Sequence, residues 1–230
     1  MLRALSLATC ILTQLIRAFC FSFLSYLFAL FLRMVAYSII KRDIEILHKE
    51  LTSLKISNSC VKFHRLATQA LILAEDHRYY FHGGVDFVAI GRAVFMICRG
   101  QKQGASTIEQ QLVRTVTNQY KISLKRKAKE LMLASTLSKV LTKNETAELY
   151  LAIAYFGYAI PGAKLASEKL NINLVCDAFD SYCKLISLLK YPLRKSENSF
   201  HFKRWNKRQA HINFLQKKVG GWTPVKLLPN

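Results

Sequence analysis

The chain opens on a long apolar stretch and then settles into helical periodicity. Residues 18–32, AFCFSFLSYLFALFL, contain no charge; Arg33 interrupts, and apolar residues resume up to Lys41-Arg42. A helix of about 20 apolar residues crosses a bilayer. The pattern predicts an uncleaved transmembrane helix after a short cytoplasmic tip, residues 1–42, with Arg33 reaching for the interface. The stretch is too long for a signal-peptide core, and no small-residue cleavage site follows. Arg3 and Arg17 ahead of the span favour a cytoplasmic N-terminus. Residues 43–60 form a polar connector with helical character, and one domain follows over 61–230.

Beyond residue 61 the apolar positions keep helical spacing. Leu66, Ala70, Leu73 and Ala74 lead into Glu75. Asp86 is placed as the N-cap of a helix running to about Cys98, with Gly100 just past its end. Ser106 or Thr107 caps the next. Leu124 to Leu141 reads as a long amphipathic helix. Thr142 and Glu145 make a capping box for a helix running to about Phe156. Tyr158 to Gly162, YAIPG, is a break, and two further helices fall at 175–190 and 203–218. No run alternates as strands do, and no internal repeat appears. The expected fold class is all-α.

Charge changes the picture of partners. The 230 residues carry 34 Lys and Arg against 14 Asp and Glu, a net +20. Such an excess attracts a phosphorylated or polyanionic partner, or an anionic lipid surface. Nucleic acid is disfavoured: no zinc finger, RNA-recognition signature or helix-turn-helix is legible, and a membrane anchor argues against it. The six cysteines include no CxxC pair. They offer no zinc site or disulfide framework, and Cys176 and Cys183 read as unpaired small core residues.

Carboxylates are scarce, so their places are informative. Glu75 and Asp76 end the oily run LILA and face Tyr79, Tyr80 and Phe81. Apolar neighbours disfavour a charged carboxylate, and a carboxyl held near neutrality serves as a general base or acid. The plainer alternative is a helix-end carboxylate paired with Arg65, Arg78 or Arg92. In GASTIEQQL, residues 104–112, Ser106, Thr107, Gln110 and Gln111 gather neutral hydrogen-bonding groups near a helix start, suited to an anion or a sugar. The alternative there is a capped polar surface helix. In LKRKAKE, Arg126 and Lys127 share a helix face with Glu130. That pattern fits either a surface ion-pair helix or a cationic cleft wall for a departing phosphate.

The order of these blocks carries more than any one of them. EDHRYYFHGGVD, GASTIEQQLVR, RKAKE and SKVLTKNETAELYL resemble, in sequence and order, the family 51 peptidoglycan glycosyltransferases, most of all the monofunctional membrane-anchored type. The resemblance covers roughly residues 65–165, and ISLLKYPLRKSEN with KRWNKRQAHI is similar to that branch's ending. It implies a lysozyme-like all-α fold with a large lobe and a smaller, membrane-embedded lobe, working on the outer face of the bacterial inner membrane. The implied substrates are lipid II and the nascent glycan strand, joined with inversion as undecaprenyl diphosphate departs. Membrane lipids and proteins of cell-wall synthesis or division are the implied partners. No organic cofactor is expected; Mg2+ or Mn2+ is.

By the same resemblance Glu75 is the base that takes the acceptor hydroxyl's proton. Glu130 assists on the donor side, holding the metal. Asp76 holds the loop. Ser106, Thr107, Gln110, Gln111, Arg114, Lys121, Arg126, Lys127 and Lys129 bind substrate. The chain departs from the family pattern at Tyr79 (usually Phe), Ala105 (Gly), Glu109 (Thr or Ser), Arg114-Thr115 (Lys-Asn), Ser138 (Glu) and Ala152 (Asn). Ile122 stands where an arginine is usual, with Lys121 beside it as a substitute. Two other readings stay open: a catalytically weak or inactive relative that binds lipid II or division proteins, and a lysozyme-like hydrolase or lytic transglycosylase, which two carboxylates would also serve.

Overall fold

A computed structural model describes residues 22–31, 34, 41, 43–54, 63–101, 103–195 and 199–219. Eight labelled helices follow residue 64. They are α1 (Arg65–Glu75), α2 (Phe87–Cys98), α3 (Ile108–Val116), α4 (Leu124–Val140), α5 (Lys143–Ile153), α6 (Gly162–Leu170), α7 (Phe179–Ser187) and α8 (Ser199–Val219). Tyr79–Phe81 forms a single 3-10 turn, and β1 (Tyr155–Gly157) pairs antiparallel with β2 (Ile160–Pro161). The domain is therefore mainly α-helical, as the periodicity predicts. The small hairpin occupies part of the expected break.

Helix α1 is the centre of the core. Ala67, Ala70, Leu71, Ile72, Leu73 and Ala74 are buried along it, and it packs on α5, α7 and α8. Each large side chain so buried stabilises by about 1.5–3 kcal/mol. The helix starts where the His64 ring accepts from the Leu66 amide, and stops at Asp76, whose backbone leaves helical geometry. Glu75 is thus the last helical residue, delivered to the edge of the core. A second packing unit sets α3 between α4 and α5. Phe156, Tyr182, Leu185 and Ile186 complete the core, each fully buried.

The helix starts are set by short polar side chains. Asp86 accepts from the Ala89 amide, Thr107 from that of Gln110, and Ser123 from that of Arg126. Thr142 and Glu145 form the expected capping box. Each such cap is worth about 1 kcal/mol. Several ends differ from expectation: α5 stops at Ile153, because Tyr155 enters the hairpin, and α7 spans only Phe179–Ser187. Cys183 is buried as expected, and burial pushes its thiol up to about 12, whereas Cys176 is exposed rather than in the core.

Among the described residues no helix is long and apolar enough to cross a membrane. The span expected within 18–40 lies largely outside the described residues; 22–31 are helical. Residues 43–54, in the expected connector, are helical too, and Leu47 and Leu51 join the hydrophobic core.

Candidate active site

Two carboxylates stand at either end of one helical turn of α3. Glu75 takes a hydrogen bond from Gln111 Nε2 at 3.2 Å, and Glu130 takes two from Arg114, at 3.0 and 3.1 Å. Gln111 and Arg114 are three residues apart, so they share a face of the helix. Thr107 fixes where that helix begins. Its hydroxyl is buried, donating to the Gly84 carbonyl at 2.7 Å and accepting from the Gln110 amide. Thr107 therefore caps the helix, and both its hydrogen-bonding roles are taken. The substrate contact expected of it gives way to a structural one.

The surroundings of Glu75 are not the apolar pocket expected from its sequence neighbours. Of the aromatic residues that follow it, Tyr79 is buried and donates to the Lys143 carbonyl. Arg208, from α8, bonds both Glu75 Oε1, at 3.2 Å, and the carbonyl of Ala74. None of the expected partners Arg65, Arg78 or Arg92 forms that ion pair; Arg78 instead holds Asp86 at 3.0 Å. Gln111 Oε1 accepts from the Tyr150 hydroxyl at 2.6 Å. Burial and the charge of Glu75 push the Tyr150 phenol above its ordinary value, so it keeps its proton. The phenol donor thereby aims the Gln111 amide nitrogen at Glu75. Beside this carboxylate opens a cleft lined by His77, Arg78, Arg92 and the Gly104–Thr107 segment.

Glu130 sits in a different field. It is almost fully buried on α4 and is touched by Arg114, by Arg126 one turn earlier, and by Lys127 at 2.6 Å. Burial alone would raise its carboxyl, but the hydrogen bonds and charges of Arg114 and Lys127 outweigh that and hold it below its ordinary value. Lys127 is pushed down by burial, against the opposing pull of Glu130, while the Glu130 bond raises Arg114. Lys127 also donates to Ser106 at 3.0 Å and to Gln110 Oε1 at 2.6 Å. The bond to Lys127 leaves Gln110 Nε2 buried and unpaired among the described residues. Three cations around one carboxylate leave the group with two positive charges in excess. It is suited to an anionic ligand.

That donor set does not fit the expected metal. Both oxygens of Glu130 are taken by Arg114, Arg126 and Lys127. A hard divalent cation needs several free oxygen ligands, and three fixed cations repel it. Asp76, His82 and Asp86 do gather ligand-capable atoms within 4.8 Å. Asp76, however, already accepts from His82 at 3.0 Å and from the Ile108 amide, while Asp86 serves Arg78 and the Ala89 amide. This trio braces the turn after Glu75, the role expected of Asp76.

Of the expected substrate-binding residues, the structure gathers Ser106, Gln110, Gln111, Arg114, Arg126 and Lys127 around the two carboxylates. It does not bring in Lys129, which pairs with Asp43 at 2.7 Å on another face of α4. Lys121 is exposed in the segment ahead of α4, beside Ile122, which is 94% exposed. Glu109 is buried and paired with Lys143, whose amine also lies 4.2 Å from the centre of the Tyr79 ring. Two departures from the family pattern thus meet at one lysine. Sequence reasoning missed Arg208 and Tyr150. The basic run around Arg208 was visible, but nothing local aimed it at Glu75.

The site so defined is a braced carboxylate and a cation-ringed carboxylate joined by one turn of a polar helix, in a helical domain. Comparisons with known proteins identify the family. The transglycosylase family model matches residues 48–212. The chain is 44% identical over 102 residues to penicillin-binding protein 1A of Escherichia coli K12, and 36% identical over 102 residues to penicillin-binding protein 1F of Bacillus subtilis. It is 38% identical over 105 residues to penicillin-binding protein 1A of Rickettsia conorii. Each match covers 44% of this chain and only 12 to 14% of the relative. The chain belongs to the transglycosylase family, the family 51 peptidoglycan glycosyltransferases.

Proposed function

We propose that the chain polymerises lipid II into peptidoglycan glycan strands at the outer face of a bacterial inner membrane, anchored by its N-terminal apolar stretch. The two-lobed, lysozyme-like arrangement of its family belongs to the same reading. The observation that carries it is the pairing of unlike carboxylates across α3. Glu75 is braced but keeps lone pairs free at an open cleft, whereas Glu130 is committed to three cations.

The roles divide accordingly. The acceptor sugar's 4-hydroxyl oxygen attacks the donor's anomeric carbon, and its proton passes to Glu75. Gln111 and Arg208 hold that carboxylate in place, and each of its oxygens retains a lone pair for the incoming proton. The bond from the anomeric carbon to the diphosphate oxygen breaks, and the electron pair leaves with the diphosphate. Arg114, Arg126 and Lys127 are already in place where that charge develops, so little reorganisation is needed at the moment of reaction. Glu130 is itself held ionised; its part is to fix the three cations, not to move a proton. Attack from the face opposite the leaving group inverts the anomeric carbon. No step is routed through a metal, whose expected ligand is occupied.

The test is polymerisation of labelled lipid II by the detergent-purified chain beside Glu75→Gln. The parent makes polymer and the variant does not. Unabated polymerisation by the variant would sink Glu75 as the base. Binding of lipid II without turnover by the parent would replace the synthase reading with that of a binding-only relative, and soluble fragments released from purified sacculi would replace it with a hydrolase.

A further inference from the structure

Residues 22–31 are helical and lie against the catalytic domain. The contacting face is Ser22, Ser25, Tyr26 and Ala29, spaced by three or four residues as one side of a helix requires. Ser25 and Ala29 are only 3% and 4% exposed, whereas Phe23 is more than half exposed. Directional bonds fix the segment. The Ser22 hydroxyl donates to the carbonyl of Phe81 at 2.9 Å, and Ser135, buried on α4, donates to that of Ala29 at 2.9 Å. Lys139 Nζ donates to the Tyr26 hydroxyl at 3.0 Å and lies 4.6 Å from the centre of its ring.

One of these bonds reaches the turn at residues 81–84 and the other two reach α4, so the segment bridges the two, and the same turn is built into the site. His82 holds Asp76, the neighbour of Glu75. The Gly83 carbonyl accepts from Ser138, and the Gly84 carbonyl accepts from Thr107, the cap of α3. Gly84 lies so close to α4 that a Cβ there would meet the Ala134 carbonyl oxygen at 2.2 Å. The N-terminal segment, the turn, and the two elements that carry Glu75 and Gln111 therefore form one continuous hydrogen-bonded path.

We propose that residues 22–31 act as a positioning strap for the reaction: they press the 81–84 turn onto α4 and so set Glu75 against the start of α3. A tether would need only length; this segment makes one directional bond to the turn that orients the base and two more to α4, on which that turn rests. The proposal rests on the reading of Glu75 and α3 as the reacting cleft. It predicts that the segment matters in detergent, where membrane attachment contributes nothing to catalysis.

The experiment uses the full chain in detergent micelles with two variants, Ala29→Leu, which overfills the contact, and Ser135→Ala, which removes one bond and nothing else. Phe23→Leu on the exposed face is the control. Amide exchange is followed across residues 79–86, and kcat and KM are measured with lipid II. Both variants are expected to exchange faster across the turn. Misplacing a reacting group by a fraction of an ångström lowers kcat, here by about tenfold. KM stays within about twofold, since ground-state binding is untouched. The control matches the parent. Parent-like exchange and kcat in both variants would overturn the strap. If exchange responds but the parent makes no polymer, the transferase reading fails while the mechanical coupling stands.

Discussion

Glu130→Gln removes the one negative charge that three cations share. In the folded protein Glu130 is 3% exposed, with Arg114, Arg126 and Lys127 at 30%, 16% and 33%. Removing one member of a buried ionic group costs about 3–5 kcal/mol. The partial exposure of the cations lets water screen part of the repulsion left behind, which places this loss near ~3 kcal/mol. At about 2–4 °C per kcal/mol for a chain of this size, the melting temperature should fall by roughly 6–12 °C. The pH dependence identifies the cause. The Glu130 carboxyl is held below its ordinary 4.5 by the bonds and charges of Arg114 and Lys127 against the opposing effect of burial. A depressed carboxyl contributes stability that is present above the unfolded value and lost as pH falls through the folded one. The gap between parent and variant should therefore be full at neutral pH and close below 4.5. Melting followed by near-ultraviolet circular dichroism across that range is the assay. The difference between the two proteins cancels the other acidic groups, which titrate in both. A gap that stays constant into acid, or no gap at neutral pH, would refute Glu130 as the organiser of the three cations.

Two further predictions test the surroundings of Glu75. Arg208→Gln removes the cation that braces Glu75 and the Ala74 carbonyl; polymerisation should fall by about tenfold or more through loss of orientation, with Arg208→Lys restoring part of it, because one guanidinium nitrogen makes both bonds and an ammonium has donors enough for both acceptors. Full activity in Arg208→Gln would remove α8 from the site. Gly84→Ala should destabilise the chain by more than about 2 kcal/mol, because φ is +90° there and the added Cβ meets the Ala134 carbonyl oxygen at 2.2 Å; an unchanged urea midpoint would mean that the turn does not press on α4.

The helix starts were legible because their causes are local. Asp86, Thr107 and Thr142 each cap a helix with a side chain that reaches an amide three residues on. Helix α6 was missed because nothing local announces it. It begins right after Pro161 with no side-chain cap, and its buried face is made of Gly162, Ala163, Ala166 and Ser167, which carry little apolar contrast. At the site, Glu130, Arg126 and Lys127 were readable as a group because one helical turn brings them together. Arg208 lies 133 residues from Glu75; only the packing of α8 on α1 joins them. The same limit explains Lys129. Sequence spacing puts it next to Glu130, but consecutive helical residues face different ways, and Asp43 claims it.

The expected apolar environment of Glu75 failed for a related reason. Residues that follow a carboxylate in sequence need not surround it once the helix ends, and Asp76 turns the chain immediately after Glu75. Tyr79 goes into the core, where Glu109 and Lys143 meet it, and the place beside Glu75 is filled by Gln111, Tyr150 and Arg208 from three other helices. What the structure supplies around Glu75 is orientation. Its carboxylate is fixed by one neutral amide and one guanidinium, and the amide is itself fixed by a phenol that keeps its proton. The donor side follows the opposite design, with charge accumulated in advance and a single glutamate to hold it. One turn of α3 thus joins two unlike carboxylates: Gln111 braces Glu75, and Arg114 three residues on helps to ring Glu130 with positive charge.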